Sequence, residues 1–139
     1  MSQVLHKNKY YKITYDIVKN RLIVKPIGFW RSVEVVPNYL QQLKDVLDKN
    51  VRKKFMVILD MSDMLTHPRE VQEQIHLEAS KYTATKKPSA VVIVIPKDDI
   101  SAMQANFLQR QLGIQTKSFN TIEEAHAFLD DYREKYGIG

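Results

Sequence analysis

Residues 54–70 read KFMVILDMSDMLTHPRE. Five apolar residues, Phe55 to Leu59, run into Asp60; a short polar loop follows, and Pro68 stands where helical spacing begins. An apolar run this short, bounded by Lys54 and Asp60, suits a strand covered on both faces, the kind found centrally in parallel or mixed sheets. A strand that ends in a carboxylate and turns into a helix is also a common seat for working residues in α/β domains. The stretch therefore frames both the fold and the candidate site.

Working outward, Ala90 to Ile95 (AVVIVI) is a second apolar run, bounded by Ser89 and Pro96. Between the two runs, Val71, Ile75, Ala79 and Tyr82 predict a helix from about Pro68 to Thr83. Upstream, Lys12 to Asn20 (KITYDIVKN) alternates apolar and polar residues, and Arg21 to Trp30 (RLIVKPIGFW) alternates again after a Lys-Asn turn. That pair predicts an antiparallel hairpin. Pro26 and Gly28 disturb the second run, so this strand should be at an edge, bulged, or finished by there. Val36, Leu40, Leu43 and Leu47 predict a helix with Pro37 in its first turn and Asn50 at its close. Downstream, Ile100, Met103, Phe107 and Leu112 predict a helix closed by Gly113. Thr116 to Phe119 reads as a short strand, followed by a helix opening at Asn120 or Thr121. Thr121 and Glu124 have the spacing of a capping box, and Gly137 ends that helix.

The predicted fold class is α/β: a mixed sheet opened by an N-terminal β-hairpin, then alternating helices and strands in the order ββαβαβαβα. With 139 residues and no linker or repeat, the chain reads as a single domain over 1–139. Its core is expected over about 11–136, leaving residues 1–10 free to flex.

Composition removes several function classes. There is no cysteine, which excludes disulfides, thiolate catalysis and thiolate metal sites. The four glycines form neither a dinucleotide-binding turn nor a phosphate-binding loop. No stretch is long and apolar enough to cross a bilayer, and the first residues lack an apolar signal core, so a cytoplasmic location is the default expectation. The net charge of +5 is uneven: residues 1–54 carry twelve Lys/Arg against four Asp/Glu, and residues 55–139 carry nine against twelve. The basic residues are scattered, apart from Arg52, Lys53 and Lys54, and lack an aromatic-and-glycine signature, so nucleic acid is not the expected partner.

The element order, the VILDMSD junction at residues 57–63 and the closing FNTIEEAHAFLDDY at residues 119–132 resemble the STAS and anti-sigma-factor-antagonist superfamily. The closer likeness is to its divergent bacterial STAS/SEC14-like, or SpoIIAA-like, branch. It covers roughly Tyr11 to Tyr132. The resemblance implies a small cytoplasmic domain that binds partner proteins or holds a small or apolar ligand. Regulatory members carry a phosphorylatable serine at the start of the helix after this strand. The corresponding residues here, Thr66, His67, Pro68, Arg69 and Glu70, include neither serine nor glycine. Ser62 sits too close to the strand to match. Thr66 reads as a helix cap, and a serine switch is not expected.

Three readings follow for the residues of the opening stretch. In the first, a non-enzymatic interaction or regulatory domain meets a protein partner through Asp60, Ser62, Asp63, Thr66, His67, Arg69 and Glu70. In the second, Phe29, Trp30, Met61, Met64 and Leu65 leave the core at strand ends and line a site for a small apolar, lipid-like or anionic ligand. The competing expectation is that they seal the sheet ends. The third and weakest is an enzyme or metal site using Asp60, Asp63 and His67, for which no spaced ligand set such as HExxH is present. Neither a cofactor nor a metal is expected, and a homodimer is compatible with the sequence.

Overall fold

The computed structural model describes residues 2–28, 30, 34–65, 70, 71, 73, 74, 88–97 and 117–136. The elements are β1 (Ser2–Lys7), β2 (Tyr11–Asp16), β3 (Arg21–Pro26), α1 (Val35–Lys49), β4 (Met56–Asp60), β5 (Ala90–Val94), β6 (Lys117–Phe119) and α2 (Ile122–Tyr136). The strands form one six-stranded sheet in chain order, β1 to β6. β1, β2 and β3 are antiparallel neighbours, and β3, β4, β5 and β6 run parallel. The sheet is mixed, as the alternation upstream and the apolar runs downstream predict.

The hairpin of β2 and β3 pairs Tyr11 with Pro26 through to Asp16 with Arg21. It turns earlier than the sequence suggests, because the alternation continues past Asp16 while the strand does not. The Asp16 carboxylate accepts the Lys19 N–H at 3.0 Å, and Asn20 takes φ +52°, so the chain reverses over four residues. Ile17 and Val18 are left at the tip of that turn. β3 ends at Pro26, which has no N–H to continue a ladder.

β1 adds a strand ahead of the predicted hairpin. Its pairing with β2 shifts between Val4 and His6, so Leu5 lies in a bulge. The bulge and the edge position hide the strand in the sequence, since the two-residue period does not survive the extra residue.

Helices cover both faces of the sheet. Tyr11, Ile13, Leu22, Val24, Phe55 and Val57 pack with Val36, Tyr39, Leu40 and Val46 of α1, and with Trp30 and Val71. On the other face Met56, Ile58, Val92 and Val94 pack with Ala125 and Leu129 of α2, flanked by Ile23, Phe119, Phe128 and Tyr132. β4 supplies both clusters by strict alternation, which is why its sequence is apolar throughout. α1 carries Pro37 in its first turn, and the Asn50 N–H closes its end on the Val46 carbonyl at 2.9 Å. Glu70, Val71, Glu73 and Gln74 are helical, within the span predicted from Pro68. The remainder of that helix and the one predicted over residues 99–112 lie outside the described residues. Among the described residues no helix is long and apolar enough to cross a membrane.

Candidate functional site

Because β3 to β6 are parallel, their carboxyl ends share one rim of the sheet. In open α/β sheets this is the rim where ligands are bound. Here it is built from Ile27 and Gly28 after β3, Met61 to Leu65 after β4, and Ile95 to Lys97 after β5.

The loop after β4 is pinned on both sides. The Met61 N–H donates to the Val94 carbonyl at 3.0 Å, and the Met64 N–H closes a turn on the Met61 carbonyl at 3.0 Å. The Gly28 N–H donates to the Asp63 carbonyl at 2.9 Å, and the Leu65 N–H to the Gly28 carbonyl at 3.0 Å, a small parallel bridge between Gly28 and Met64. Gly28 reaches this position at φ +69°, a conformation glycine adopts without steric cost.

The two carboxylates of the loop are already engaged. Asp60 is buried, and its Oδ1 accepts the Ser62 hydroxyl at 2.6 Å and the Ser62 N–H at 3.1 Å. That is a cap that holds the chain as it leaves β4. Asp63 is exposed, with Lys25 Nζ at 2.9 Å and Lys97 Nζ at 3.6 Å. The hydrogen bond from Lys25 holds the Asp63 carboxyl below its ordinary range, and the same bond raises the Lys25 ammonium above its own. Among the described residues no group of three His, Asp or Glu side chains is placed to hold a metal ion.

Of the residues proposed for a partner, the structure brings together Asp60, Ser62 and Asp63 in the pinned loop, with Glu70 exposed in the helical segment beyond. Thr66, His67 and Arg69 lie outside the described residues. Of those proposed for a ligand, Leu65 is 50% exposed, Met61 is half-buried, and Phe29 is outside the described residues. Met64 and Trp30 are buried, so neither lies open to a ligand. The Trp30 indole donates to the Tyr10 carbonyl at 2.8 Å. Trp30 also stacks edge-on against Tyr39, with ring centroids 5.1 Å apart.

Sequence reasoning missed the partners of Asp63, since Lys25 and Lys97 lie far from it in the chain and carry no local signal. It also missed a second polar cluster, at the opposite rim. Arg21, fully buried at the start of β3, donates to His126 Nδ1 and Asp130 Oδ1 of α2, both at 2.9 Å. Lys19 Nζ reaches the same Asp130 oxygen at 3.1 Å. The available hint was the four-residue spacing of His126 and Asp130 on one helix, but their partner is more than a hundred residues away.

No protein-family model matches the chain, and no curated protein does. The fold is that of the SpoIIAA-like α/β proteins. Among solved structures the chain is similar to an uncharacterized protein from the DUF3478 family, with a SpoIIAA-like fold, from Shewanella loihica PV-4. The likeness has a TM-score of 0.55 at 13% identity and covers 93% of this chain and 92% of that one.

Proposed function

We infer that this chain is a non-enzymatic interaction or regulatory domain that meets a protein partner through the loop at Asp60–Leu65 and the helical segment at Glu70. The observation that carries the reading is the pinned loop. Backbone bonds to Gly28 and Val94 fix its shape, while Leu65, Asp63 and Glu70 face outward. A surface fixed before contact loses little freedom on binding, which favours recognition. Asp60 and Asp63 each spend their carboxylates on internal partners, which leaves neither poised as a general base. The absence of serine and glycine over residues 66–70 separates this domain from those controlled by a serine switch. The reading as a carrier of a small apolar ligand has less support, because Trp30 and Met64 are occupied in packing.

The test is capture of partners from lysate by the wild-type chain and by a Leu65→Ser/Glu70→Lys variant that unfolds at the same temperature. The expected result is a protein retained by the wild type and at least about tenfold depleted with the variant. Equal capture by the two would remove this surface from the proposal.

A further inference from the structure

The rim opposite the pinned loop has a different chemistry. It is formed where β3 and β4 begin, by the turn Ile17–Asn20 and by residues 51–54. Ile17 and Val18 are each 61% exposed, the largest exposures among the big apolar side chains of the described residues. They stand next to one another at the tip of a hairpin, where neither has a strand partner.

Basic residues adjoin that tip. Arg52 Nη1 donates to the Ile17 carbonyl at 2.8 Å. The Asn20 amide donates to the carbonyls of Arg52 and Lys53 at 3.2 and 3.1 Å and accepts the Arg52 N–H at 3.0 Å, so the two turns form one unit. Arg52, Lys53 and Lys54 are exposed, and Lys49 is exposed in the last turn of α1. Within residues 17–20 and 48–54, Lys19, Lys49, Arg52, Lys53 and Lys54 stand against Asp48 alone. Asp16 is buried at the base of the turn, and Asp130 is the carboxylate that meets Lys19.

We propose that this rim docks onto an anionic lipid surface, with Ile17 and Val18 entering the headgroup boundary and Arg52, Lys53 and Lys54 lying against lipid phosphates and carboxylates. The combination selects the occupant. Nucleic acid would satisfy the cations but offers nothing to a protruding pair of aliphatic side chains. An acidic protein would satisfy the charge, but interface centres are built from aromatic anchors and pockets, not from a convex tip. A bilayer takes both, because apolar side chains partition into its boundary while cations hold the anionic headgroups. The proposal is independent of the partner surface at the other rim.

The test is co-sedimentation of the full chain with vesicles of phosphatidylcholine and phosphatidylserine, compared with pure phosphatidylcholine. Binding is expected to the anionic vesicles alone and to weaken with salt. Lys53→Glu/Lys54→Glu should lower affinity about 30-fold or more, and Ile17→Ser/Val18→Ser about tenfold, with thermal unfolding unchanged in both. No binding to the anionic vesicles overturns the proposal. So does binding that survives Ile17→Ser/Val18→Ser undiminished, in which case the patch is a polyanion surface for nucleic acid or acidic protein.

Discussion

Asn20 shows how one side chain can hold two turns. It is fully buried and accepts the Tyr15 hydroxyl at 2.7 Å as well as the Arg52 N–H, while its amide serves two carbonyls. Every donor and acceptor of the side chain is used. Asn20→Ala leaves buried polar groups without partners and places alanine at positive φ, so stability should fall by about 3 kcal/mol in urea unfolding. Arg21 is the second decisive residue. An arginine only donates, so His126 must present an unprotonated Nδ1 to it and carry its proton on Nε2. Burial, reinforced by the charges of Arg21 and Lys19, lowers the His126 pKa against the opposing pull of Asp130 and Asp16. The folded state thus prefers neutral histidine, while the unfolded chain takes up a proton near the ordinary value of about 6.5. The stabilisation is complete above that value and is lost as pH falls toward the lower folded-state pKa. Measured between pH 7 and 5, wild-type stability should decline, and His126→Gln should decline less steeply. Equal slopes would mean that His126 does not set this pH dependence.

At the scale of elements, what could be read in the sequence is what repeats locally. The alternation from Lys12 onward marks β2, the spacing of Val36, Leu40, Leu43 and Leu47 marks α1, and the unbroken FMVIL and AVVIVI runs mark β4 and β5. The Thr121 and Glu124 spacing marks the start of α2, where the Glu124 N–H donates to the Thr121 hydroxyl at 3.2 Å. Two features escaped because they depend on a backbone irregularity. Leu5 in its bulge conceals β1, and Gly28 at positive φ makes a bridge to Met64 that nothing local announces. The candidate site divides in the same way: Asp60 as the carboxylate ending a strand is visible in the sequence, whereas the lysines on Asp63 come from other strands' ends. Gly28 offers a test at this scale. No atom lies within 4 Å of where its Cβ would be, so Gly28→Ala isolates the conformational cost. The variant should lose about 1–2 kcal/mol in chemical unfolding, with no new clash to explain it.

At the scale of the whole molecule, the two faces of the sheet differ in when they can be completed. Among the described residues, all but one of those buried under α1 lie between Tyr11 and Val57, the exception being Val71. The face under α2 draws on Met56, Val92 and Leu129, and so on most of the remaining chain. Pulse-labelled hydrogen exchange during refolding should therefore protect amides of β2, β3 and α1 before those of α2; simultaneous protection of all four would show a single concerted step. The chain-order arrangement of the strands carries this further. Each strand settles beside the one synthesised just before it, so a chain emerging from a ribosome can extend its sheet from one edge to the other without holding a gap open for a later strand. Among the described elements α2 follows the whole sheet in the chain, and its His126 and Asp130 close over Arg21. A buried guanidinium laid down in β3 thus waits for its counter-charge until β4, β5 and β6 have been made and α2 follows, and a chain interrupted before α2 would expose that cation on an uncovered sheet face.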